Sequence, residues 1–373
     1  MQDQTKPQVQ APDGGRGGRG GQAPPNIPAP AGGRRGGAQA PGILFDSDMG
    51  RSIDTALALG MLYSLGPKGQ LIAVSVSNSS LEAAAFCDAV SRVYLGSPAA
   101  GGLGRSGLPV GLAENGPKLG AAPMLNAPLE MKKPDGSVMF PQGIKDVRDT
   151  ADPRVLYHNA LLTQKDGEAI AILAGPATDL VGMLALKSHR EVVAAKVGLL
   201  VAALGAYPSG TADPRVTADI KAARQLFAEW PGPIVAVGAE VGVAFPYAAG
   251  SIEADFSWAP VHPVVEAYRA LQPRIHEATG QAMAAVLYAA NQKEGYFKLS
   301  EPGTVEVLGD GRTRFVPSAN GKHRYLIAES AQKERVLKAY TELASTKPSP
   351  PAGRGFRPQQ VNQAADPAKA GGR

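Results

Sequence analysis

The stretch Phe45-Asp46-Ser47-Asp48-Met49-Gly50-Arg51-Ser52-Ile53-Asp54-Thr55-Ala56-Leu57-Ala58-Leu59 decides the reading of this chain. Three carboxylates, Asp46, Asp48 and Asp54, fall within nine positions. Ahead of them lies a short apolar run, Ile43-Leu44-Phe45, and behind them an apolar pattern with helical spacing. A strand that ends in Asp-x-Asp and turns through Gly50 into a helix sets acidic side chains at the carboxyl edge of a sheet, where open α/β folds bind their ligands. Acids gathered there suit a hard cation, the hydroxyls of a sugar, or both. Continued alternation along the strand points Asp46 and Asp48 to the same side, where their repulsion calls for a cation or a shared proton.

Outward from this stretch, short apolar runs alternate with longer helical ones from about residue 42 to about residue 345. That is the pattern of an α/β fold with a mostly parallel central sheet flanked by helices. Strands are predicted at residues 43–45, 71–77, 109–112, 169–173, 197–204 and 234–237. Helices are predicted at 54–65, 81–95, 153–163, 178–186, 218–229, 262–271, 281–291 and 331–343. Residues 304–308 and 313–316, joined through Gly309-Asp310-Gly311-Arg312, read as a C-terminal β-hairpin. Residues 113–150 are rich in Gly, Pro, Asn and Lys and read as a long irregular insertion or lid.

The chain has 373 residues, with 45 Gly and 32 Pro concentrated at its ends. Residues 1–42 and 347–373 have too little apolar surface to offset the entropy of ordering, so both are expected to be disordered tails around one domain at 43–346. The tails carry +3 and +4 of the formal net charge of +5, which leaves the domain at −2. A mildly acidic domain is not the footprint of nucleic-acid binding. Any nucleic-acid contact is expected to be weak and through the Gly/Arg tails, which hold a single aromatic, Phe356. One cysteine, Cys87, excludes an intrachain disulfide and a cysteine-based metal site. No run approaches the length of a membrane span, so no membrane partner is expected. The polar start fits an exported chain (periplasmic or secreted) whose signal has been removed, or else a cytoplasmic tail; export is the expectation.

The opening stretch resembles the first motif of the inosine/uridine-preferring nucleoside hydrolases, which reads roughly Asp-Thr-Asp-x-Gly-x-Asp-Asp-Ala-x-Ala. Asp46, Asp48, Met49, Gly50, Ile53, Asp54, Ala56, Leu57, Ala58 and Leu59 match the longer form found in bacterial relatives; Arg51, Ser52 and Thr55 depart from it. Ile172-Leu173-Ala174-Gly175-Pro176-Ala177-Thr178-Asp179-Leu180 and His262-Pro263-Val264-Val265-Glu266 are similar to later segments of such proteins, in the expected order. The resemblance implies a nucleoside-hydrolase-like fold and a hydrolase that cleaves the N-glycosidic bond of ribonucleosides or a related sugar conjugate. It also implies a tendency to self-associate, so a homo-oligomer is an expectation.

Such cleavage passes through an oxocarbenium-like state and needs a base to activate water and groups that grip the sugar. By resemblance, Asp48 is the catalytic base and touches a calcium ion that contacts both water and sugar. Asp46 and the backbone carbonyl of Ala174 join the metal, while Asp54 and Asn78 meet the substrate; Asp213 and Arg215 are expected at the substrate too, but depart from the Glu/Asn pair that relatives carry there, Arg215 replacing a neutral amide with a cation. On the residues alone, Asp54 also reads as a first-turn acid after a Ser52 cap, and Asn78 as a turn former. The calcium expectation is weakened at two positions. Thr55 replaces a metal-binding acid, and Ala282 stands where relatives complete the metal shell. Calcium affinity follows ligand charge and number, so most of it is expected to be lost. Two cations, Arg51 and Arg215, appear nearby, and a guanidinium facing the pocket would neutralise Asp46 and Asp48 or grip an anionic ligand. The alternative function is a catalytically impaired nucleoside- or sugar-binding protein of the same fold.

Overall fold

Gly42–Ser47 forms strand β1, and all six of its residues are buried. A near-continuous apolar run of this kind belongs to a parallel strand covered on both faces. The computed structural model describes residues 40–96, 107–271, 273 and 275–347. The tails expected to be disordered therefore lie outside the described residues, apart from 40–42 and 347.

The remaining strands are β2 (Gln70–Val76), β3 (Val110–Leu112), β4 (Ala169–Ala174), β5 (Val197–Ala202), β6 (Ile234–Ala236), β7 (Tyr247–Ala248), β8 (Glu277–Ala278), β9 (Lys298–Leu299), β10 (Gly303–Val307), β11 (Thr313–Pro317) and β12 (His323–Ile327). Ten of them make one sheet in the order β11-β10-β12-β6-β5-β4-β1-β2-β3, with β9 paired to β12. From β3 across to β12 every pairing is parallel; β10 is antiparallel to both β11 and β12. Strands β7 and β8 form a separate antiparallel pair. The sheet is mostly parallel with a C-terminal hairpin, as the sequence pattern predicts. The hairpin joins the sheet through β12, a strand that the pattern missed, because His323-Arg324-Tyr325 interrupts its apolar content.

Two helical layers cover the sheet. Ile43 and Phe45 face α1 (Ile53–Tyr63), α2 (Leu81–Leu95) and α3 (Pro123–Glu130). Leu44 faces α4 (Pro153–Leu162), α5 (Thr178–Leu184), α6 (Lys187–Lys196), α7 (Pro214–Ala218) and α8 (Ile220–Glu229). The first layer continues with α9 (Ala239–Ala244), α10 (Ala249–Asp255), α11 (Pro263–Arg269), α12 (Gln281–Ala290) and α13 (Lys333–Ser345). Helix α1 is buried from Ile53 to Leu62 and α12 from Gln281 to Ala289. Helices apolar all round lie inside a protein, and these two pack against each other. Among the described residues no helix is long and apolar enough to cross a membrane.

Helices α3, α6, α7, α9 and α10 escaped the sequence reading, and for two of them the reason is visible. Helix α3 lies inside the segment predicted as irregular; Met124, Leu125 and Pro128 anchor it, but its Pro and Asn content hides the pattern. Helix α6 buries only Val193, so it carries no apolar stripe. The insertion that contains α3 is docked onto the loop after β1. A Cβ on Gly50 would lie 2.6 Å from both Leu119 and Leu125, and Gly50 has φ +97°. Only glycine adopts that conformation without strain and leaves this space free. Gly50→Ala should therefore lower stability by about 2 kcal/mol, combining backbone strain with overpacking; urea unfolding of the two proteins measures it.

Candidate functional site

The carboxyl ends of β1, β5 and β6 open into a cleft of about 290 Å³, lined by Asp48, Arg51, Ser52, Asp54, Gly205, Thr211, Ala212, Asp213, Pro214, Arg215, Ala239, Thr279 and Gln281. Parallel sheets present ligands with their carboxyl edge, and the loops there are held by backbone hydrogen bonds. Asp48 N–H donates to the Ala174 carbonyl at 3.1 Å, and Val237 N–H donates to the Ala202 carbonyl at 2.8 Å.

Arg215 lies at the centre and is 7% exposed. Its Nε donates to Asp48 Oδ2 at 3.2 Å, and its Nη2 lies 3.5 Å from Asp48 Oδ1 and 3.9 Å from Asp54 Oδ2. Its Nη1 donates to Gln281 Oε1 at 2.9 Å and to the Ala203 carbonyl at 3.3 Å. Its three nitrogens thus each donate to a protein oxygen, which a planar, five-donor fork permits and an ammonium does not. Burial works against its charge, but Asp48, Asp54 and Asp213 outweigh burial and raise the group above its ordinary range. Removing one partner from such a buried pair costs about 3–5 kcal/mol, because the other charge is left uncompensated.

Each neighbour is positioned by its own element. Asp213 caps α7: its Oδ1 accepts from Arg215 N–H at 2.7 Å and its Oδ2 from Gly205 N–H at 2.8 Å. It lines the cleft while tying the loop after β5 to the helix that carries Arg215. Asp54 sits in the first turn of α1, where Ser52 makes no side-chain cap. Its carboxylate instead reaches α12, accepting from Ala282 N–H at 2.7 Å and Met283 N–H at 3.2 Å. The dipole that Asp54 meets is therefore that of α12 as well as its own helix. Gln281, the first residue of α12, completes the network by donating from its amide to the Val237 carbonyl at 2.9 Å. The sequence reading passed over Gln281; its only signal was its place beside Ala282 in an otherwise apolar helix.

Three expected site residues are placed elsewhere. Asp46 is buried and does not line the cleft. The chain leaves β1 at Ser47, so strand alternation does not carry through to Asp48. Asp46 lies on the side of Asp179 and Tyr157, and both of its oxygens lack a hydrogen-bond partner among the described residues. Burial, then the charge of Asp179, pushes its carboxyl well above the usual range, even with Ser75 and Ser77 close by. It stands outside the cleft, and neither Arg51 nor Arg215 pairs with it. Asn78 is spent inside the protein: its amide donates to the Met49 carbonyl at 3.0 Å and its oxygen accepts from Ser80 N–H at 3.0 Å. The Ala174 carbonyl receives the Asp48 amide. Thr55, at a position where the resemblance places a metal-binding acid, turns its hydroxyl to the Ser52 carbonyl at 3.0 Å. Arg51 reaches Asp48 Oδ2 at 3.5 Å from the mouth, with its side chain 43% exposed.

No protein-family model and no curated protein sequence matches the chain. Solved structures do match. An inosine-guanosine nucleoside hydrolase aligns with 17% identity and a TM-score of 0.59 over 82% of this chain and 99% of that one. A purine-preferring ribonucleoside hydrolase from Gardnerella vaginalis aligns with 16% identity and a TM-score of 0.58 over 82% and 98%. The type III effector XopQ, complexed with adenosine diphosphate ribose, aligns with 14% identity and a TM-score of 0.57 over 84% and 96%. The chain therefore has a nucleoside-hydrolase-like fold, and at these identities the likeness extends to the fold alone.

Burial lifts the Asp54 carboxyl from its ordinary 3.8 to about 6, with Arg215 and the Ala282 and Met283 amides pulling the other way. A folded-state value above the unfolded one means that the contribution of Asp54 to stability is full below about pH 4 and is lost as pH rises through about 6. Urea unfolding at a series of pH values should show a loss of about 3 kcal/mol from this group, which Asp54→Asn abolishes. Asp179, lifted to about 7 by burial and by Asp152, adds to the slope that remains near pH 7.

Proposed function

We propose that this protein hydrolyses the N-glycosidic bond of ribonucleosides or of a related sugar conjugate. The observation that carries this reading is the meeting of Asp48, Asp54, Asp213 and Arg215 in one cleft at the sheet's carboxyl edge, in a nucleoside-hydrolase-like fold. The cleft volume of about 290 Å³ suits a ligand of sugar or nucleoside size. Ser52, Thr211 and Thr279 line it with Asp48, so hydroxyl partners for a sugar stand beside the carboxylate. In this reading Asp48 accepts a proton from water while the water oxygen bonds to the anomeric carbon. The carbon–nitrogen bond breaks at the same centre, and its electron pair leaves on the base. Asp54 and Asp213 have their oxygens engaged by backbone amides, so they hold the shape of the cleft around Asp48.

A second reading rests on a specific contact. Asp48 accepts from Arg215 and lies within ion-pair distance of Arg51, which leaves fewer lone pairs for a water molecule. A protein that binds a nucleoside or sugar conjugate without turnover fits that arrangement. Release of free ribose from a panel of nucleosides separates the two. Asp48→Asn should lower the rate by about 10²–10⁴-fold, the usual contribution of a general base. Saturable nucleoside binding by calorimetry with no ribose released selects the second reading.

A further inference from the structure

The structure assigns Arg215 the part of a resident cation, one that makes the site independent of calcium. The inference rests on the same cleft as the glycosidase reading but not on turnover.

Calcium takes six to eight oxygen ligands and is drawn to sites by the number and charge of free carboxylates. Here the oxygens that could serve are already engaged. Asp48 presents both of its oxygens to the Arg215 guanidinium, at 3.2 and 3.5 Å. Asp54 gives both of its own to the first amides of α12. Gln281 Oε1 and the Ala203 carbonyl accept from Arg215 Nη1. The Ala174 carbonyl accepts from Asp48 N–H, and Thr55 directs its hydroxyl away to Ser52. Asp46 stands outside the cleft. Among the described residues no group of three or more His, Cys, Asp or Glu side chains converges to hold a metal ion. The donor set does not fit calcium.

It fits a guanidinium well. The charge that would attract a divalent ion to Asp48 and Asp54 is met by a group that is covalently attached, permanently protonated and 7% exposed. Its backbone is held in turn by Asp213, which accepts the Arg215 amide. Four hydrogen bonds from the guanidinium go to protein oxygens and Asp54 lies 3.9 Å from Nη2, so Arg215 positions the acids rather than gripping a ligand. Arg51 differs: among the described residues its one partner is Asp48, and its side chain is 43% exposed.

The test is calorimetric titration of the full-length chain with calcium chloride after treatment with a chelator, together with thermal unfolding with and without calcium. The expected result is no saturable heat and no shift in Tm. Arg215→Ala should gain what the wild type lacks: a rise in Tm with millimolar calcium or with a low concentration of methylguanidinium, either of which refills the vacated position between the acids. Arg215→Lys keeps a charge there and should gain no calcium response. Saturable calcium binding by the wild type overturns the inference, as does a folded Arg215→Ala protein that responds to neither cation. Should Arg215→Ala fail to fold, the wild-type titration still decides, with Arg215→Gln as the milder neutral variant. None of these readouts uses ribose release, so failure here and failure of the glycosidase reading are separate results.

Discussion

A guanidinium buried among carboxylates constrains everything around it. An ion removed from water is tolerated only when its partners are close, charged and well oriented. Arg215 meets that condition through Asp48 from the loop after β1, Asp54 from α1, Ala203 from the end of β5 and Gln281 from α12. Four separate parts of the fold must therefore keep their relative positions for the charge to stay paired. Parallel pairing of β1 with β4 and of β4 with β5 supplies that register. The packing of α1 on α12 brings Asp54 under the α12 amides.

Acids of the same type do different work because their surroundings differ. Asp46 and Asp48 are two residues apart, yet one is buried outside the cleft without a hydrogen-bond partner among the described residues and the other meets Arg215 within it. Asp54 is lifted by burial and held down by a cation and two amides. Environment rather than residue type sets such roles. The fold itself is shared with nucleoside hydrolases at 16–17% identity, but chemistry is argued from the site. What distinguishes this site is a cation built into the chain.

The opening stretch declared its strand, turn and helix because the apolar run, the acids and Gly50 are all local signals. The same holds for the alternation that predicts the parallel sheet and for helix α2, where Ser80 accepts from Ala83 N–H as a cap. Local signals failed where burial comes from distant partners. Helix α3 and strand β12 are stabilised by what they dock against, not by their own periodicity. Asn78 illustrates the same limit, since its residue type at a strand end suits both a ligand contact and the internal bonds to Met49 and Ser80 that it makes.

Sequence by itself determined the fold class and the placing of Asp48 and Asp54 just beyond the first strand, since these follow from periodicity and residue type. Only the tertiary structure decided which charges meet. Asp48 and Arg215 are 167 positions apart, Arg215 and Gln281 66 apart, and Asp54 and Ala282 228 apart. Nothing in local spacing encodes such distances. The guanidinium finds its carboxylates because sheet register and helix packing bring those positions together, and Coulombic attraction at low solvent exposure then holds them in place.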